Sequence, residues 1–133
     1  MHQLTVKSRK REELIDITGE VKEFLDKNSF EEGVCYLYVP HTTAGITINE
    51  GADPSVKEDI VNGLKVFIPE NGNYRHAEGN SDAHIKTSLI GSSEVCFVEK
   101  GRLALGTWQS IYFCEFDGPR ERKFFITFMN TKG

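Results

Sequence analysis

The order of elements is set by one stretch: Val34-Cys35-Tyr36-Leu37-Tyr38-Val39-Pro40-His41-Thr42-Thr43-Ala44-Gly45-Ile46-Thr47-Ile48-Asn49-Glu50. Val34 to Val39 is β-branched and aromatic, a composition that fits a pleated surface, and Pro40 closes the strand because it has no amide to give the ladder. Ala44, Ile46 and Ile48 then alternate with Gly45, Thr47 and Asn49, which makes a second strand with one apolar face. Two strands follow one another here with no helix between them.

The rest of the chain extends this pattern. Upstream, Leu4 and Val6 alternate with polar residues, and Leu14, Ile15 and Ile17 form a second short strand. The basic Arg9-Lys10-Arg11 between them reads as a solvated turn. Thr18 is placed to cap a helix whose Val21, Phe24 and Leu25 share a face. Downstream, Asp53-Pro54 opens a helix: Asp accepts from first-turn amides, and Pro at the first helical position has no donor to strand. Val56, Ile60, Leu64 and Phe67 recur along it, and Pro69 ends it. Residues 70–81 form a polar loop. Asp82 is placed to cap a short helix carrying Ile85 and Leu89, with Gly91 as its stop. Val95–Val98, Ile111–Phe116 and Phe124–Met129 are strands, joined by turns at Lys100-Gly101 and Asp117-Gly118-Pro119. Helices falling between strand pairs, rather than after every strand, predict an α+β fold with a largely antiparallel or mixed sheet.

The 133 residues make one domain, 1–133. Sixteen basic and twenty acidic side chains give a net charge of −4, which disfavours a nucleic-acid binder. No apolar run is long enough for a membrane span, and the opening Met1-His2-Gln3-Leu4-Thr5-Val6-Lys7 lacks the apolar stretch expected of a signal peptide. Cys35, Cys96 and Cys114 lie far apart in apolar runs and form no Cys-x-x-Cys pair, so buried thiols in a reducing, cytoplasmic setting are expected.

Chemistry centres on His41 at the strand junction, His76 in the polar loop and His84 in the short helix. Gathered in space, the three would suit zinc, which accepts three imidazoles and leaves a fourth position open. The alternative is three unrelated polar histidines. Glu50 is either a general acid or base, or a solvated turn residue. Asn80 either orients a ligand or serves turn chemistry. Trp108 is a core or subunit-contact ring, and Arg120 either grips a phosphate or makes a structural ion pair. No P-loop, Gly-x-Gly-x-x-Gly or Gly-x-Ser-x-Gly motif occurs.

Five motifs in order carry a resemblance: His41 to Glu50, Tyr74-Arg75-His76, Gly79-Asn80-Ser81-Asp82-Ala83-His84, Leu105-Gly106-Thr107-Trp108-Gln109, and Glu115-Phe116-Asp117-Gly118-Pro119-Arg120. Together they resemble the YjbQ family. The resemblance implies a two-layer, barrel-like β-sandwich of mainly antiparallel strands with two to three helices, assembled as a homotrimer. It implies secondary thiamine-phosphate synthase activity, a transfer joining a pyrimidine diphosphate to a thiazole phosphate with loss of pyrophosphate. It further implies a small phosphorylated substrate and a divalent metal, zinc or magnesium, on His41, His76 and His84. Glu50, His41 and Arg120 are then the catalytic candidates, and Thr42, Asn49, Arg75, Asn80, Trp108 and Gln109 the substrate contacts. The competing expectation is a metal- or small-ligand-binding trimer without turnover.

Overall fold

The computed structural model describes residues 1–131; residues 132 and 133 of the expected domain lie outside the described residues. In chain order the elements are β1 (His2–Lys7), β2 (Glu13–Asp16), α1 (Thr18–Lys27), β3 (Gly33–Tyr38) and β4 (Ala44–Glu50). There follow α2 (Pro54–Phe67), α3 (Ser81–Ile90), β5 (Ser93–Glu99), β6 (Arg102–Leu103), β7 (Gln109–Glu115) and β8 (Glu121–Asn130). Five strands form one sheet in the order β1-β8-β3-β5-β6, and three form another in the order β2-β7-β4. The pairings are antiparallel. The larger sheet curls into a half-barrel over the smaller one, so the fold is the α+β, barrel-like sandwich expected.

The strand periodicity explains the layers. Cys35 and Leu37 of β3, Val98 of β5, and Phe124 and Ile126 of β8 point inward from the large sheet. They meet Ile46, Ile111 and Phe113 from the small sheet, while Val21 and Leu25 of α1 join the same core. Each such fully buried side chain contributes about 1.5–3 kcal/mol over its exposed state. The opposite face of the small sheet, with Leu14, Tyr112, Cys114 and Phe116, is covered by Ile60, Val61 and Leu64 of α2 and by Ala83 and Ile90 of α3. The three cysteines are buried free thiols.

The large sheet's outer face has no such cover among the described residues. Tyr36, Tyr38, Val95, Phe97 and Met129 are exposed there. Register makes them neighbours: Tyr36 lies opposite Val95, and Val34 stands between Phe97 and Met129.

Four local readings are corrected. Thr18 is not the cap of α1: Asp16 Oδ1 accepts from the Thr18 amide at 2.9 Å, and the Thr18 hydroxyl accepts from the Ile111 amide at 2.8 Å. Strand β7 thereby recruits the side chain that would have capped. Phe67 belongs to the periodic stripe of α2 yet is 88% exposed, because it lies past the last turn resting on the sheet. Asp82 does not cap α3 either. It is fully buried, bound to Arg11 at 3.0 and 3.1 Å and to Lys86 Nζ at 2.7 Å, and Asn80 takes the N-cap position. Arg11 is accordingly drawn out of the solvated basic turn, leaving Arg9 and Lys10 exposed. The cap of α2 is as expected, with Asp53 Oδ1 accepting from the Ser55 amide at 3.0 Å.

Candidate functional site

A cleft of about 390 Å³ opens where β3 ends and α3 finishes, lined among others by Tyr38, His41, Thr42, His84, Thr87 and Ser92. Two glycines create it. Gly91 adopts φ +99°, which an L side chain rarely tolerates, and turns the chain out of α3. A Cβ at Gly45 would sit 2.5 Å from the Gly91 carbonyl, so only glycine lets β4 press against the helix end. The Ile46 amide then donates to that carbonyl at 3.1 Å. This contact brings His84 and Thr87, on one face of α3 by their spacing of three, beside His41 and Thr42 at the entry to β4.

His41 is held by β8. The Lys123 amide donates to His41 Nε2 at 3.1 Å. A nitrogen that accepts has no proton, so the neutral ring carries its hydrogen on Nδ1 and is a donor there. Burial, and then the positive charge of Arg122, push the His41 pKa below the usual imidazole value. The Thr87 hydroxyl is buried and makes no hydrogen bond, although buried polar groups nearly always find a partner. Among the described residues, no aspartate or glutamate lines the cleft. The chamber therefore presents hydrogen-bond donors and hydroxyls and offers no anionic ligand to a cation.

Beneath His41 runs a buried ion pair. Arg122 donates through Nε to Glu115 Oε1 at 2.9 Å, and through Nη2 to the Thr43 hydroxyl and carbonyl at 2.9 and 3.2 Å. Glu115 also accepts from the Ser8 hydroxyl at 2.7 Å and the Asp117 amide at 3.0 Å. Burial alone would push the Glu115 carboxyl up, but these hydrogen bonds outweigh it and hold it below its ordinary value.

The remaining candidates fall into separate groups. His76 stands edge-on to His84 with ring centroids 5.5 Å apart, and its Nε2 lies 3.7 Å from Glu78. Asn80 donates to Asp117 at 2.9 Å, and Arg120 closes on the same carboxylate at 3.0 Å, so Arg120 is in an ion pair. Arg75 is exposed in the loop. Asn49, Glu50, Trp108 and Gln109 gather at the far end of β4, where Glu50 lies opposite Gln109. There Glu50 accepts from the Ala52 amide at 2.7 Å, Asn49 from the Glu50 amide at 2.7 Å and Gln109 from the Gly106 amide at 2.8 Å. Trp108 is 64% exposed. Seven residues of strand, at about 3.3 Å each, put roughly 20 Å between these groups and the cleft. A proton acceptor must come within about 3 Å of its target, so Glu50 does not serve the His41 cleft of its own chain.

The expected metal centre is corrected. Among the described residues no group of three or more His, Cys, Asp or Glu side chains is placed to hold a metal ion. His41, His76 and His84 do not converge as a ligand set. Several contributors escaped the sequence reading. Thr87 could have been found from its spacing to His84, and Glu115 opens one of the five motifs without a role being read for it, whereas Arg122 and the Lys123 amide give no local signal because β8 alone carries them under His41.

Fold and site define a class: a two-sheet α+β sandwich with a donor-lined cleft at one strand end. A family profile described as UPF0047 protein YjbQ-like matches residues 2–131, and the chain belongs to that family. It is 54% identical over 127 residues to a UPF0047 protein of Methanocaldococcus jannaschii, covering 96% of this chain and 92% of that one. It is also 54% identical over 127 residues to the UPF0047 protein YugU of Bacillus subtilis, covering 95% and 96%. A crystal structure from Clostridium acetobutylicum, described as an uncharacterized conserved protein of the YjbQ/UPF0047 family, superposes with a TM-score of 0.95 at 50% identity, covering 97% and 100%. None of these descriptions is that of a thiamine-phosphate synthase. The expectation of that transferase activity is therefore corrected, together with that of metal binding.

Proposed function

We propose that the protein is a small-ligand-binding homotrimer whose cleft takes the oxyanion end of a small phosphorylated molecule and binds it without turnover. The observation that carries this reading is the cleft's polarity: His41, whose Nε2 accepts from the Lys123 amide and whose neutral ring therefore donates through Nδ1, and Thr87, whose buried hydroxyl has no partner, both line it, and no carboxylate does among the described residues. Such a set complements acceptor oxygens and repels no anion. The distance to Glu50 supports binding over catalysis, since it leaves the cleft without that proton acceptor in its own chain. The apolar outer face of the five-stranded sheet supports self-association, because contiguous exposed apolar surface marks an interaction site. Free buried thiols, and the finding that no helix among the described residues is long and apolar enough to cross a membrane, support a cytoplasmic setting.

The test is calorimetric titration with inorganic phosphate and with a simple phosphate monoester. Binding should weaken about tenfold in His41→Ala and in Thr87→Val, each removing one hydrogen bond to a charged group. Equal affinity in wild type and both variants, or hydrolysis of the monoester by the wild type alone, would overturn the reading.

A further inference from the structure

We propose that Arg122 and Glu115 are positioning residues that set the tautomer of His41, and with it the donor character of the cleft. This rests on the cleft being the ligand site, but it makes a separate claim about the unliganded protein. The chain of contacts is continuous. The Arg122 guanidinium is buried, with 4% exposure, and grips Glu115 on β7 while its Nη2 reaches both oxygens of Thr43. Thr43 lies two residues after His41, and Lys123, whose amide meets His41 Nε2, follows Arg122 directly. One planar fork thus fixes the backbone on both sides of the imidazole: the loop that carries the ring and the strand that supplies its donor. Glu115 in turn is anchored by Ser8 and by the Asp117 amide, which orient the carboxylate so that the guanidinium has one seat.

A lysine at position 122 would keep the charge but lose the fork, since an ammonium cannot hold Glu115 and both Thr43 oxygens in one plane. Strand β8 and the Thr43 loop would then be free to shift by the fraction of an ångström that breaks a 3.1 Å amide-to-imidazole bond. Without that bond, the neutral ring distributes its proton over both nitrogens.

The experiment is nitrogen-15 NMR of the imidazoles at alkaline pH, where His41 is neutral, on the ligand-free protein. In the wild type, His41 should show a single Nδ1–H tautomer, with scalar coupling across the hydrogen bond between the Lys123 amide nitrogen and Nε2. Arg122→Lys and Glu115→Gln should populate both tautomers and lose that coupling, and phosphate affinity should fall about tenfold. Lys86→Met is the control: it disrupts a different buried ion pair and should lower stability while leaving the His41 tautomer unchanged. If Arg122→Lys or Glu115→Gln folds and His41 keeps its single tautomer, the inference is wrong. Should neither variant fold, the wild-type coupling decides, because a mixed tautomer or an absent coupling overturns it alone. A wild type that shows the single tautomer and the coupling but binds no phosphate would instead sink the ligand reading, and the Arg122→Lys and Glu115→Gln tautomers would still decide this one.

Discussion

Replacing Lys86 by methionine removes an ammonium that is completely enclosed between Glu12 and Asp82. Methionine is unbranched and similar in length, so it fills the site and leaves little cavity. The loss is therefore electrostatic. Asp82 keeps its two-pronged contact with Arg11 at 3.0 and 3.1 Å, but Glu12 is left with Arg11 at 3.8 Å, beyond hydrogen-bond reach. Removing one partner of a buried pair costs about 3–5 kcal/mol. The surviving Arg11 contact places this case at the lower end, about 3 kcal/mol, out of a total stability of roughly 5–15 kcal/mol. For a chain of this size that corresponds to a fall in Tm of roughly 10–15 °C. Urea unfolding followed by circular dichroism should show a lower midpoint with an unchanged slope. Adding Glu12→Gln to Lys86→Met should restore about half of the loss, because the stranded carboxylate is then neutral. A Lys86→Met protein within about 1 kcal/mol of wild type, or a further loss on adding Glu12→Gln, would refute the reasoning.

Two other outcomes follow from the same contacts. Arg11 and Lys86 outweigh the upward push of burial on Asp82, and Arg122 with its neighbours does so for Glu115, so both folded-state values lie below the ordinary 3.8 and 4.5. A lowered folded value means the stabilisation is complete above the unfolded value and is lost as pH falls through the folded one. Tm should accordingly hold steady through neutrality and drop only below about pH 4.5, more shallowly in Asp82→Asn; a fall that begins near pH 6 would contradict this. On the large sheet, Phe97→Glu puts a charge in the middle of the exposed apolar face, and the proposed trimer should then sediment as a monomer. A wild type that sediments as a monomer, or a variant with an unchanged sedimentation coefficient, would refute this face as a subunit contact.

Alternation made β4 legible and β-branched, aromatic composition made β3 legible; β3, β5 and β8 bury alternate residues against one core, whereas β7 is covered on both faces and buries Ile111 to Glu115 in succession. The start of α2 was legible because Asp53-Pro54 acts within four residues. Thr18 and Asp82 were misjudged because a tertiary partner, the Ile111 amide in one case and Arg11 with Lys86 in the other, outcompeted the local capping bond. For the cleft, His41, Thr42 and His84 stood out as chemistry-bearing residues that the fold does bring together. Glu50 stood in the same motif as His41, yet an extended strand carries the two apart, a separation that motif reading does not register. Arg122 looked like any surface arginine in a polar run, since nothing local reveals that β8 turns it under Thr43.

Helix α3 shows its charged Asp82 and Lys86 to the interior and leaves Ile85 and Leu89 facing solvent. A segment built this way has little to gain from early collapse, which rewards oily surfaces. Its docking must await the β1–β2 connection bearing Arg11 and Glu12, a stretch distant in sequence that has to arrive before the helix settles. In hydrogen-exchange measurements, α3 should therefore release its amides well before α1, whose Val21 and Leu25 are anchored among the sheets.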